Sequence, residues 1–353
     1  MTRCRSSFFN GFSIIGWLEQ LNTSQKTAAD FFFIPCRGKM VRMKKHRPFS
    51  PEEIIFSCTT ACNLHCEHCF VNREPKRISI DAAKKFLLSC KGTSIEKIGF
   101  SGGEPFLYLE FLCEITRAGL ENDFMFDQIM TNGDWWKGEA DLRLTLQKVY
   151  DAGYDGKIGL SWDSYHGQST ERMQTFIRTV QEIFGEDSIN IQTVDLQGEN
   201  SSMEADSLKS ADADFLTAFD LSRSSTAASL IYHLTRSFPS DDERAWQNKK
   251  WFKEDYCEGP GHIFYVHADG NIAPCCGFAN ENPALFIGTI DDSFEKLMQN
   301  ASKNLMVQIC YEEGLSHFHR HGLKKVLKEQ GKKLPKGKCG EICSFCDFVC
   351  KNI

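Results

Sequence analysis

From residue 48 onward, short apolar runs alternate with stretches whose apolar residues recur at helical spacing. Glu53-Ile54-Ile55-Phe56-Ser57 predicts a strand that feeds a loop rich in cysteine. Ile80, Ala83, Phe86, Leu87 and Cys90 fall on one helical face, with Ser79 placed to cap it. The pattern then predicts strands over 95–100, 124–130, 157–162 and 188–194, and helices over 107–118, 140–150 and 172–184. A polar loop at 197–204, a weaker helix and the apolar run 229–232 follow. Strand and helix alternating in this way predict an α/β fold, a partial barrel of parallel strands joined by right-handed crossovers. Such folds carry their chemistry in loops at the C-terminal ends of the strands. The alternation stops near residue 235, which predicts a different C-terminal module. There the apolar runs 263–266 and 271–273 flank Asp269-Gly270, a two-residue hairpin signal.

The organisation expected is therefore an extension over 1–47, a barrel over 48–240 and a cysteine-rich module over 241–353. The extension has Arg3 and Arg5 before a patchy apolar stretch, but Asn10, Gly11 and Ser13 interrupt it, unlike a secretory signal. The basic run from Arg37 to Arg47 reads as a solvated arm, and Met40 or Met43 is a candidate true start. No function is assigned to this segment. Hydrophobic residues at 41% and charged residues at 25% exclude a mostly disordered chain. No run approaches the roughly 20 apolar residues that span a bilayer, so no membrane association is expected. A net charge of −6 argues against nucleic acid as a partner, since phosphate needs a basic face.

Cysteine changes the picture. The chain has 16, concentrated at Cys58, Cys62, Cys66 and Cys69 and again at Cys339, Cys343, Cys346 and Cys350. Close spacings suit thiolate ligation of a metal or iron–sulfur cluster, which requires a reducing compartment, and a cytoplasmic location is expected. Cys62-x3-Cys66-x2-Cys69 offers three thiolates directly after a strand. A four-iron cluster held by three cysteines keeps one iron open for chemistry. Zinc with His65 or His68 as fourth ligand is the alternative at this point.

The three-cysteine spacing resembles that of radical S-adenosylmethionine enzymes. Gly102-Gly103-Glu104-Pro105 after the second strand is similar to the family's GGEP segment. Thr131-Asn132-Gly133 after the third strand and Ser161-x-Asp163 after the fourth are similar to further cofactor-contact sites. The resemblance covers about residues 50–235, and four motifs in order, each ending a predicted strand, make it specific. It implies a [4Fe-4S] cluster on Cys62, Cys66 and Cys69 whose open iron is chelated by S-adenosylmethionine. An electron from a flavodoxin- or ferredoxin-like donor would then cleave that cofactor to a 5′-deoxyadenosyl radical, which takes a hydrogen atom from substrate. On this reading Gly102, Gly103 and the Glu104 carboxylate hold the cofactor's ammonium, with Pro105 completing the motif. Ser161 bonds its ribose or carboxylate, Asp163 and Asn132 complete the contact sites, and Arg172 pairs with its carboxylate.

Cys257 and the stretch Gly270-x4-Cys275 resemble the start of SPASM and twitch extensions, which carry auxiliary clusters. The implied ligands of one auxiliary [4Fe-4S] cluster are Cys257, Cys275, Cys343 and Cys346, with Cys339 or Cys350 as rivals. A zinc ribbon is the alternative for the terminal group. Cys276 is expected to be a packed thiol, because it points away from Cys275, and Cys90, Cys113 and Cys310 to be core. His317, His319 and His321 read as a solvated helix. The expected enzyme takes hydrogen from a peptide or protein side chain, or from a small molecule, with the auxiliary cluster aiding oxidation. Its rival is a non-catalytic cluster or zinc protein using the same loops. Asp163, Asp195 and Glu199 follow strand ends, but none is assigned as a base.

Overall fold

The computed structural model describes residues 31–36, 39–44, 48–71, 74–163, 165–194, 231–234, 237–253, 256–257 and 261–353. The chain divides into two units, Met1–Arg47 and Pro48–Ile353. In the first, β1 (Phe31–Cys36) and β2 (Lys39–Lys44) pair as an antiparallel hairpin.

The second unit is built on a nine-stranded sheet. Its barrel strands are β3 (Glu53–Ser57), β4 (Lys97–Ser101), β5 (Met125–Thr131), β6 (Lys157–Ser161), β7 (Ile189–Val194) and β8 (Ile231–Leu234), each parallel to the next. Between them run α1 (Ile80–Cys90), α2 (Leu109–Glu121), α3 (Glu139–Asp151) and α4 (Thr170–Phe184). Ser79 caps α1 by accepting from Ala82 N–H, and the helix buries Ala83, Phe86, Leu87 and Cys90. Alternation on β3 sends Ile54 and Phe56 into the helix-covered core, fully buried, and leaves Glu53 and Ile55 facing the barrel interior. Phe56 meets Phe111 of α2 edge-on at 5.6 Å between ring centroids, in the edge-to-face geometry aromatic pairs favour.

The cysteine-rich module does not form a separate sheet. β9 (Gly261–Val266) pairs parallel to β3, and β10 (Asn271–Cys275) and β11 (Gly288–Thr289) add antiparallel beyond it. The β9–β10 turn spans 267–270 rather than two residues, closed by His267 N–H on Asn271 C=O at 2.8 Å. Gly270 there has φ +88°, which only glycine adopts freely. The β9–β10 register shifts between Ala273 and Cys275 around Pro274, which has no N–H to give. After the sheet come α5 (Phe294–Lys303), a π-helical turn over Gln308–Glu313, α6 (Leu315–His321), α7 (Leu323–Glu329) and α8 (Ile342–Cys350). The predicted loop at 197–204, the weaker helix, Asp195 and Glu199 lie outside the described residues; β8 falls at the predicted apolar run. Among the described residues no helix is long and apolar enough to cross a membrane.

Candidate active site

At the C-terminal end of the barrel a cavity of about 420 Å³ is bordered by the three-cysteine loop and by the loops after β4, β5 and β6. Cys62, Cys66 and Cys69 all line it, as do Gly102, Gly103, Asn132, Ser161 and Asp163. The loop is fixed by the paired glycines. Gly103 N–H donates to Thr59 C=O at 2.7 Å and Glu104 N–H to Ala61 C=O at 2.8 Å. A Cβ on Gly102 would lie 2.5 Å from the Thr59 carbonyl oxygen, and one on Gly103 would lie 2.3 Å from that of Ala61. The glycines let backbone touch the cysteine loop itself, a partner the sequence reading did not anticipate.

Glu104 differs from expectation in a second way. It is fully buried and turned away from the cavity. One oxygen accepts from Phe106 N–H at 3.1 Å and Thr131 Oγ1 at 2.8 Å, the other from Asn132 N–H at 2.8 Å. Burial pushes its carboxyl up to about 7 against the pull of those donors. Its carboxylate therefore bolts the loop after β4 to the loop after β5, and buried Pro105 opens the short 3₁₀ turn behind it. Asn132 does more than shape its turn: Nδ2 reaches Cys62 Sγ at 3.6 Å and Asn63 Oδ1 at 3.0 Å. Arg172 is likewise committed elsewhere. It pairs with Asp134, donates to Trp136 C=O at 2.7 Å and lies 3.6 Å over the Trp136 ring. These partners absorb the guanidinium assigned to a methionine carboxylate.

Two polar residues at the site escaped the sequence reading. His166 Nδ1 meets Asp163 Oδ1 at 2.8 Å, and ligand atoms of His68, Asp163 and His166 all lie within 4.8 Å of one another. Burial would lower His166, but hydrogen bonds with Asp163 and Cys66 raise it to about 9. Burial opposes ionisation of Asp163, yet the same pairing holds its carboxyl below the usual range. Gln168 Nε2 donates to Ser161 C=O at 2.8 Å and Asn132 C=O, joining two cavity-lining loops. The only sequence signal was the clustering of polar residues just after Asp163.

Cys276 is not a packed thiol. It lines the same cavity as the three-cysteine loop, together with Glu53, Asp127 and Tyr265. Burial, and then the Glu53 carboxylate, push its thiol up to about 12, so it keeps its proton near neutrality. Glu53 itself is raised to about 7 by burial and by Asp127.

Cys275 lines a second, smaller cavity with Cys257, Cys310, Cys343 and Cys346. The fourteen cysteines from Cys58 to Cys350 are free of disulfide. Hydrogen bonds from Cys310 and Cys350 draw the Cys346 thiol well down. Cys339 is turned aside, donating to Glu341 C=O at 3.2 Å. His317, His319 and His321 do not all converge: the His317 and His321 rings lie 4.5 Å apart and His317 pairs with Glu313 at 3.0 Å, while the His319 ring turns to that of Trp251 at 4.2 Å. Five thiols line the smaller cavity and four the larger, three of them from the one loop, and both are donor sets that fit iron–sulfur clusters.

No family model matches the chain. It is 24% identical over 304 residues to the peptide biosynthesis protein YydG of Bacillus subtilis (strain 168), covering 79% of this chain and 85% of that one. Over 135 residues it is 30% identical to an S-adenosylmethionine-dependent nucleotide dehydratase of Siniperca chuatsi, covering 37% of this chain and 36% of that protein. Among solved structures, native anSMEcpe with bound AdoMet and Cp18Cys peptide shares the fold with a TM-score of 0.51 at 13% identity, over 85% of this chain and 95% of that one. In fold, in its relatives and in the three-cysteine loop that borders its cavity, this chain is similar to the radical S-adenosylmethionine enzymes.

Proposed function

We propose that this enzyme modifies a peptide, acting on a carbon held in the 420 Å³ cavity beneath the three-cysteine loop. Cys62, Cys66 and Cys69 would hold the four-iron cluster, and Gly102, Gly103, Asn132, Ser161 and Asp163 would border S-adenosylmethionine. When bound, the cluster and cofactor supply a radical that takes a hydrogen atom from substrate. Glu104, Pro105 and Arg172 act behind that wall as positioning residues. The similarity to a peptide biosynthesis protein over most of both chains supports a peptide over a small molecule. The electron comes from a flavodoxin- or ferredoxin-like donor, in the reducing cytoplasm that so many free thiols require. The acidic net charge supports neither nucleic acid nor an anionic membrane as partner.

The observation that carries the outcome is Cys276, a protonated thiol lining the reaction cavity. A thiol S–H bond is no stronger than most C–H bonds of a peptide and comparable to its Cα–H bond, so this thiol can return a hydrogen atom to a substrate carbon radical. The S–H bond breaks, a C–H bond forms and a thiyl is left; one electron from the external donor and one proton restore the thiol. Hydrogen removed from one face and returned from the other inverts the carbon without net oxidation of the peptide. A second reading rests on the neighbouring thiol-lined cavity. There an auxiliary cluster would accept the substrate radical's electron, leaving a product that lacks two hydrogens. Cys257, Cys275 and Cys346 would hold that cluster, with Cys310 and Cys343 competing for the fourth place.

The test uses anaerobic, reconstituted enzyme with S-adenosylmethionine, dithionite and synthetic short peptides encoded beside the gene, run in deuterated water. Inversion by Cys276 gives a peptide heavier by one deuterium, and Cys276→Ala abolishes the label while 5′-deoxyadenosine still forms. A peptide lighter by two hydrogens, unaffected by Cys276→Ala, favours the oxidation reading instead.

A further inference from the structure

We propose that Cys310, and not Cys343, is the fourth thiolate of the auxiliary cluster. This rests on the reading that the extension holds a four-iron cluster. Cys310 sits in the π-helical turn Gln308–Glu313, a rare wide turn that often marks a functional site. Each of the other three thiol-bearing segments is tied directly to that turn. Cys257 N–H donates to the Cys310 carbonyl at 3.0 Å. Tyr311, the next residue, donates its hydroxyl to Pro274 C=O at 3.0 Å, one residue before Cys275. From α8, Cys346 Sγ approaches Cys310 Sγ to 3.8 Å. The Cys310 side chain is also buried, at 3% exposure, so ligation needs no further desolvation.

The four sulfurs of Cys257, Cys275, Cys310 and Cys346 interact electrostatically in all six pairings. A closed cluster site requires such mutual proximity, because every ligand binds one corner of a single small cube. Cys343 has a different setting. It lines the same small cavity and its sulfur is near Cys257 and Cys346 as well as Cys276, but its side chain is only half-buried where that of Cys310 is buried. The Cys343-x2-Cys346 spacing therefore supplies one ligand from α8, and the π turn supplies the other.

The experiment starts from the Cys62/Cys66/Cys69→Ala protein, which leaves only the extension to bind iron. It is reconstituted anaerobically, and iron, acid-labile sulfide and the reduced-state electron paramagnetic resonance spectrum are recorded. Absence of iron in this parent would defeat the cluster reading itself. With iron present in the parent, Cys310→Ser is expected to lose the cluster or shift its spectrum, while Cys343→Ser keeps the parent's iron and spectrum. Loss of iron from Cys343→Ser overturns the proposal, whether or not Cys310→Ser also loses it. An unaltered spectrum in Cys310→Ser overturns it too. Far-UV circular dichroism of the apoproteins checks folding. Should Cys310→Ser unfold, Cys343→Ser decides alone: full iron supports the assignment and lost iron refutes it.

Discussion

Cys275 and Cys276 are adjacent in the chain, yet Cys275 lines the thiol-rich cavity of the extension and Cys276 the reaction cavity of the barrel. The register shift at Pro274 places this divide at the end of β10. The two residues should accordingly separate by phenotype. Cys275→Ser is expected to reduce iron content, whereas Cys276→Ser keeps full iron and changes only the fate of the peptide. Metal analysis beside peptide mass spectrometry reads both.

Iron stoichiometry follows from the two donor sets. Two four-iron clusters give about eight irons per chain. The Cys62/Cys66/Cys69→Ala protein is expected to keep about half and to form no 5′-deoxyadenosine. Stoichiometric zinc in anaerobically prepared protein would count against the auxiliary cluster.

Gly103→Ala drives a methyl into the Ala61 carbonyl, backbone against backbone, where neither side can yield cheaply. A destabilisation of about 1–3 kcal/mol is expected, together with loss of iron from the three-cysteine loop. Gly138→Ala meets nothing within 4 Å, and thermal melts should place it within about 0.5 kcal/mol of the parent.

Arg172, in the first turn of α4, is held by protein partners. With its guanidinium held by Asp134 and Trp136, Arg172→Ala should cost about 1–2 kcal/mol of stability. Affinity for S-adenosylmethionine, measured by calorimetry on the folded variant, should stay within about twofold. Lysine should rescue stability only in part, because it lacks the planar face that stacks on Trp136. A large loss of cofactor affinity at unchanged stability would return Arg172 to the carboxylate role.

Glu53 links stability to pH. Its carboxyl is raised from 4.5 to about 7 in the fold by burial and by Asp127. A raised carboxyl means that the folded state holds its proton where the unfolded state has lost it. Stability from this group is therefore full below pH 4.5 and falls as pH rises toward 7. The loss is on the order of 1–3 kcal/mol. Glu53→Gln apoprotein should melt higher than wild type above pH 7, with the gap closing at lower pH.

Much of the fold was legible because its signals are local. Alternation on β3, the Ser79 cap and the apolar face of α1 all lie within a few residues. The cavity-lining motifs were legible for the same reason, each closing a strand. The missed features depend on partners distant in sequence. The Glu104 carboxylate is turned inward by donors from Phe106, Thr131 and Asn132, and Arg172 is captured by Asp134 and Trp136. Cys276 was read as pointing away from Cys275, but only the curved sheet with its loops shows that this side is the cavity. Cys310 is core, as its helical spacing predicts, but the π turn that carries it leaves no mark in that spacing.

The parallel pairing of β3 with β9 bears on biogenesis. Ser50 N–H, just before β3, is received by His262 Nδ1, 212 residues away in sequence. A nascent chain emerging from the ribosome would thus carry the strand that leads into the cysteine loop with one edge bare until residues 261–266 arrive. A cluster on Cys62, Cys66 and Cys69 is accordingly expected to settle late, on a chain whose residues 261–266 have already paired with β3. Truncation just before β9 is expected to weaken iron binding at Cys62, Cys66 and Cys69, although all three cysteines would still be present.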